Sequence, residues 1–152
     1  MTKRSSQDWH GCPIRFGAVI FGDPWCMLIL RDLMFKGARH YADFLNAGEG
    51  ISTNILADRL AMLESEGIII KEPDPDHGAR FNYFLSPKGL GLVPAMLEIV
   101  NWSESWDPQT EVPADFIAEF RAGSTAMALD IVDGLEQDRH LPSADRRPPR
   151  IR

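Results

Sequence analysis

Apolar residues along this 152-residue chain recur mostly at helical spacing, interrupted once by two short strand-like runs. Pro13 to Phe21 mixes small and apolar residues and reads as a short helix. Asp23-Pro24 then opens a second helix: aspartate is a good N-cap, and proline suits the first helical position, where no backbone N–H is needed. Trp25, Leu28, Ile29 and Leu33, flanked by Met27, Leu30 and Met34, carry that helix to Gly37. Tyr41, Phe44 and Leu45 mark a third, broken by Gly48 and Gly50. A fourth runs roughly from Ser52 to Glu66 and stops at Gly67. Ile68-Ile69-Ile70-Lys71 and Phe81 to Leu85 read as strands around a loop holding Pro73, Pro75 and Gly78, which makes a hairpin.

Ser86-Pro87 restarts helix by the same cap-then-proline logic, with Leu90, Val93, Leu97 and Val100 as its apolar face. Pro94 falls inside that helix and is expected to kink it. Asp107 to Pro113 reads as a linker. Phe116, Ile117 and Phe120, then Met127, Leu129, Ile131, Val132 and Leu135, predict two more short helices. From Leu141 to Arg152, three prolines and five charged residues predict disorder. No internal repeat is visible. The order of four helices, hairpin and helix predicts a mainly α fold with a small β-hairpin, a winged helix-turn-helix. In that fold the short capped fourth helix is presented to DNA.

Composition adds a complication. The net charge is −6, whereas phosphate contacts need Lys and Arg. The charge is unevenly spread: Glu98 to Asp138 holds ten acidic residues against one arginine, and Arg139 to Arg152 holds five arginines against one aspartate. Met1 to Arg31 carries four basic residues against two acidic. Lys36 to Arg80, where a reading head would lie, still counts five basic against eight acidic, so weak or salt-sensitive affinity is in view. Residues 1–11 are polar, so no secretory signal is expected. No stretch approaches the roughly 18 to 20 apolar residues of a membrane helix. Two cysteines without metal spacing fit a reducing compartment, and the expectation is a cytoplasmic protein.

The chain resembles the HxlR-type family of bacterial transcriptional regulators. The resemblance is carried by Cys12-Pro13-Ile14; by Trp25 with Leu28-Ile29-Leu30-Arg31-Asp32-Leu33 and Gly37; and by Arg39 with Tyr41 and Leu45. It continues through Gly50-Ile51-Ser52, Leu56, Arg59-Leu60, Leu63-Glu64 and Gly67-Ile68. It ends with Tyr83, Leu85, Lys88-Gly89, Pro94 and Trp102. The resemblance implies a homodimer, joined through terminal helices, in which each subunit puts its fourth helix in a major groove of double-stranded DNA and its wing along the backbone. The implied organisation is a flexible arm over 1–11, the family domain over 12–106, a helical extension over 107–138 and a disordered basic tail over 139–152. Two departures stand out: the wing loop carries Asp74 and Asp76, and the fourth helix has no outward Arg or Lys.

On a helical wheel at about 100° per residue, Ile55, Leu56, Leu60 and Leu63 of the fourth helix share one arc and are expected to pack inward. Thr53, Asn54, Ala57, Asp58, Ala61 and Glu64 face away. The N-terminal part of a recognition helix does the reading, so Ser52, Thr53 and Asn54 are the candidates for base or phosphate contact. Ser52 or Thr53 is equally a plain N-cap. Arg59 falls within the apolar arc and reads as a structural ion-pair residue, with Asp32 or Asp43 as candidate partners, in preference to a DNA contact. Arg39 and His40 precede the third helix where the chain would cross a phosphate backbone, and Arg80 sits on the wing; each is a candidate phosphate contact or a solvated loop residue. His77 reads as a turn residue. No metal site is expected from Asp74, Asp76 and His77, three candidate ligands close together in one loop without a partner cluster.

Cys12 matches the family position that is a reactive thiol in redox-sensing members, with His10 and Arg15 nearby. Two roles stand open for it, an oxidisable sensor and a packing residue at the dimer seam. Cys26, inside the second helix, is expected to be inert core. The helices from Pro113 to Gln137 could cover the dimer, hold a small-molecule effector or recruit a partner, and Phe116, Phe120 and Met127 fit an ordinary packing stripe. No nucleophile–base pair, phosphate loop or zinc spacing is visible, so neither enzymatic activity nor a cofactor is expected. The expected function is that of a DNA-binding transcriptional regulator, most simply a repressor on an inverted repeat, responsive to an oxidant or effector. A winged-helix module for protein or ligand binding, with DNA affinity lost, is the alternative.

Overall fold

The computed structural model describes residues 11–151; the arm expected over 1–11 lies almost wholly outside them. The elements are α1 (Pro13–Phe21), α2 (Pro24–Phe35), α3 (Tyr41–Leu45), α4 (Thr53–Ser65), β1 (Ile69–Pro73), β2 (Phe81–Leu85), α5 (Pro87–Leu90), α6 (Val93–Trp106) and α7 (Ala114–Arg139). A 3-10 turn, Ser143–Asp145, follows.

Local chemistry sets the boundaries. Asp23 caps α2 by accepting from Cys26 N–H at 3.0 Å, and Ser52 caps α4 by accepting from Ile55 N–H at 3.3 Å. The end of α4 is a Schellman turn: Gly67 N–H donates to the Glu64 carbonyl and Ile68 N–H to that of Leu63, both at 2.9 Å. Gly67 has φ +71°, a conformation that glycine adopts freely, and it turns the chain straight into β1. The strands pair antiparallel, with Ile69 opposite Leu85 and Lys71 opposite Tyr83.

The core forms where α4 lies against α2 and the hairpin. Leu56, Leu60 and Leu63 bury against a cluster that includes Ile29, Leu30 and Leu33. Phe44 of α3 meets Tyr83 of β2 edge to face at 5.9 Å. Leu56 and Leu63 are fully buried, so truncating either to alanine costs about 2–5 kcal/mol. Ile55 departs from the inward arc drawn on the wheel and is exposed, because it lies at the edge of the stripe in the first turn.

Two other expectations change, and one holds. Pro94 does not kink a long helix: the chain breaks at Gly91–Leu92, and Pro94 falls in the first turn of α6, where its missing N–H costs nothing. The two helices expected after the linker are present, joined end to end within α7 across a kink at Gly123 (φ −171°, ψ 77°). The tail, expected to be disordered, lies along the body as far as Ile151. Ile151 N–H donates to the Phe35 carbonyl at 3.0 Å, and Arg150 pairs with Asp130 and Glu119. Arg147 donates its N–H to Asp138 at 3.2 Å. The arginines of the tail thus offset part of the acidic surplus of α7.

Candidate nucleic-acid interface

The turn between α3 and α4 holds Gly48 and Gly50, both at positive φ, and delivers the chain to Ser52. Ser52, Thr53 and Asn54 all sit exposed at the start of α4, with Ala57 and Ala61 exposed farther along. Ser52 is the cap, so its hydroxyl is already engaged. The side chains of Thr53 and Asn54 are free of packing. Tyr41 Oη donates to the Thr53 carbonyl at 2.9 Å and so ties α3 to the first turn of α4.

The wing is an ordered loop built on Asp74. Asp74 Oδ1 accepts from Asp76 N–H at 3.0 Å, and His40 Nε2 lies 3.0 Å from Oδ2. His77 Nδ1 is 3.5 Å from the same oxygen. Asp74 N–H donates to the Arg80 carbonyl at 2.9 Å, closing the loop base. The Asp76 N–H, with the histidines beside it, holds the Asp74 carboxyl below its ordinary value of 3.8. Asp74 is buried, so one of the two aspartates that opposed phosphate binding points inward. Arg80 remains exposed on the wing, and Lys71 stacks over the Phe81 ring at 4.3 Å.

His40 therefore joins α3 to the wing. Its N–H and that of Arg39 both donate to Asp43 Oδ2 at 2.8 Å, starting α3. The Arg39 side chain is not at the surface. It is 6% exposed, donates to the carbonyls of Leu33 (3.2 Å) and Ala38 (2.6 Å), and lies 5.8 Å from the Phe84 ring centre. Burial and the neighbouring Arg146 lower its pKa to about 10. This corrects the expected phosphate contact: the side chain folds inward to bond the end of α2, and Arg80 is left exposed on the wing.

Arg59 is an ion-pair residue, with a different partner from those proposed. Its Nε donates to Asp23 at 2.7 Å and its Nη1 to Asp58 at 2.6 Å. The expected partners are occupied elsewhere, Asp32 by Arg31 at 2.7 Å and Asp43 by the two backbone N–H groups. Cys12 is exposed at the N-cap of α1, whereas Cys26 is fully buried, and burial together with Asp23 pushes its thiol up to about 12. Sequence reasoning missed Tyr41 and Asp74 as organisers of the site. The spacing His40-x-x-Asp43 was a legible capping signal; the long-range His40–Asp74 pair had none.

Among the described residues no group of three or more His, Cys, Asp or Glu side chains is placed to hold a metal ion. No single helix there is long and apolar enough to cross a bilayer.

The family model described as HxlR-like helix-turn-helix matches residues 20–111. The chain belongs to the HxlR-like helix-turn-helix family. It is 34% identical over 97 residues to the uncharacterized HTH-type transcriptional regulator sll1512 of Synechocystis, covering 64% of this chain and 71% of that one. It is 33% identical over 99 residues to the uncharacterized HTH-type transcriptional regulator YvaP of Bacillus subtilis, covering 64% and 91%. Among solved structures it is similar to PA1607, a candidate transcription factor, with TM-score 0.64, 31% identity and coverage of 72% and 76%. It is also similar to the reduced form of the regulator YodB from B. subtilis, with TM-score 0.54, 26% identity and coverage of 66% and 99%. As an HxlR-like chain it has the helix-turn-helix at α3–α4 and the wing at β1–β2. The extension α7 lies beyond the matched segment.

Proposed function

We propose that this protein is a cytoplasmic transcriptional regulator that binds an inverted-repeat operator as a homodimer and represses by occluding a promoter. The observation that carries the reading is the start of α4. Thr53 and Asn54 stand exposed and unpacked on a helix N-terminus braced by Tyr41, beside an ordered wing that ends in Arg80. Asn can pair bidentately with adenine, and free N–H groups at a helix start favour a phosphate. Arg80 supplies a backbone contact on the wing side, and His40 braces the wing through Asp74.

Dimerisation is assigned to α1 and α6. Ile14 on α1, with Ile99, Trp102 and Trp106 on α6, leaves large apolar side chains in water, Trp102 at 65% and Trp106 at 75% exposure. Two subunits joined by a two-fold axis present their α4 helices to half-sites about one helical turn apart, roughly 34–36 Å. Cys12, exposed on α1, is the thiol within reach of an oxidant, while Cys26 is sealed in the core. YodB, whose structure is known in reduced and diamide-treated forms, is the relative that supports a thiol response.

Nuclease footprinting of the purified protein on the intergenic DNA upstream of its own gene tests the reading. Protection of two half-sites in one inverted repeat supports it. Uniform, salt-sensitive protection without a preferred site contradicts it and favours a winged helix that works on a protein or ligand.

A further inference from the structure

The extension α7 does more than cover the domain: it builds a groove. Between α5, α6 and the second half of α7 lies an open cavity of about 520 Å³. Leu90, Leu97, Phe120, Ala128 and Val132 line its apolar part, and Ser124 and Thr125 sit just past the break in α7 at Gly123. That volume and that mostly apolar lining, with a few polar groups, fit a small organic ligand. Leu129 stands at the groove 60% exposed. On α6, Trp102 follows Glu98 by one turn on the same face, so the groove borders the surface assigned to dimerisation.

Charge selects the occupant. Among the described residues the carboxylates lining the groove are Glu98 and Glu136, and no Lys, Arg or His lines it. Neither glutamate has an ion-pair partner among the described residues. Several other acids of α6 and α7 are engaged: Glu104 with Arg121, Glu119 and Asp130 with Arg150, and Asp138 with the Arg147 N–H. Both glutamates are exposed at the edge of the groove, and two such carboxylates beside apolar walls attract a positive charge attached to an apolar body.

We propose that the groove between α6 and α7 binds a lipophilic organic cation, an aromatic or alicyclic body bearing a protonated or quaternary nitrogen. The nitrogen sits between Glu98 and Glu136, and the body lies on Leu97, Phe120 and Val132. Because α6 also carries the tryptophan face, a ligand wedged against α7 acts on the helix assigned to subunit pairing.

The test is fluorescence anisotropy of two dyes with the same xanthene ring system, rhodamine 6G (cationic) and fluorescein (anionic), titrated with the full chain without DNA. The outcome is thus independent of operator recognition, and failure of either reading leaves the other standing. Rhodamine 6G is expected to bind saturably, one per chain, and fluorescein at least about tenfold more weakly. The Glu98→Gln, Glu136→Gln double variant is expected to lose about tenfold for rhodamine 6G and most of the discrimination. Thr125→Trp, which starts from an exposed rim position, is expected to abolish binding; if it fails to fold, the carboxamide variant decides alone. Absence of saturable rhodamine 6G binding, equal affinity for both dyes, or unchanged binding in the double variant overturns the proposal. So does a Thr125→Trp variant that turns from dimer to monomer in sedimentation, which makes a second copy of the chain the occupant.

Discussion

Arg59 of α4 donates through Nε to Asp23 at 2.7 Å, and Asp23 is at the same time the cap of α2. One carboxylate thus starts the second helix with Oδ1 and anchors the reading helix with Oδ2. The arginine is held charged: burial opposes its charge, and Asp23 and Asp58 outweigh burial, so its pKa is raised. The pair is about a quarter exposed on each side, which limits its worth in water. Arg59→Ala should cost about 1 kcal/mol and Asp23→Ala about 1–2 kcal/mol, the second losing the cap as well. Urea unfolding of both single variants and the double variant checks this. Additive losses would show that the contact carries no coupling.

The two arginines near the site should behave oppositely. Arg39→Ala removes two buried donors to the carbonyls of Leu33 and Ala38 and the guanidinium over Phe84, and should destabilise the fold by about 2 kcal/mol or more. Arg80→Ala should leave stability within about 0.5 kcal/mol and reduce the slope of log affinity against log salt by about 1 per subunit. Unfolding curves and salt titrations on the two variants separate the roles.

The wing should loosen in acid. The folded-state pKa of Asp74 is depressed, so its contribution to stability is present above the unfolded value, about 3.8, and is lost as pH falls through the lower folded value. Asp74→Asn should therefore be less stable than wild type at neutral pH, and the gap should close only in strong acid. Thermal melts at a series of pH values read the gap; a constant difference down to the lowest pH would sink the assignment.

The two thiols should differ in rate. With its thiol pushed up to about 12 and no exposed surface, Cys26 should not react with iodoacetamide in the native protein near pH 8, while Cys12 does. Peptide mass mapping after brief labelling identifies the modified site. In guanidinium both should label.

Most elements of the winged helix were legible because their boundaries are local chemistry. Asp23-Pro24, Ser52 and Ser86-Pro87 are caps written in adjacent residues, and Gly67 ends α4 within one turn. The exposed positions Ser52, Thr53 and Asn54 at the start of α4 followed from the cap and the helical period alone. What sequence could not supply was direction across long separations. Arg39 looks like a loop cation until Phe84 and the carbonyl of Leu33 are brought beside it. Asp74 looks like an unfavourable surface charge until His40, 34 residues earlier, is placed against it. The tail is compositionally a disordered segment, and it lies in place because Asp130, Glu119 and Asp138 on α7 meet its arginines.

The most direct test of the central account is fluorescence anisotropy of a labelled duplex carrying the inverted repeat from the upstream DNA, titrated with wild type and with Asn54→Ala. The account predicts saturable binding of two chains per duplex by wild type. Asn54→Ala should lose about 1–3 kcal/mol of discrimination between the repeat and scrambled DNA, with its salt slope and thermal stability unchanged. Equal affinity of wild type for repeat and scrambled duplex, or an Asn54→Ala variant that discriminates as well as wild type, would contradict the placing of α4 as the reading helix.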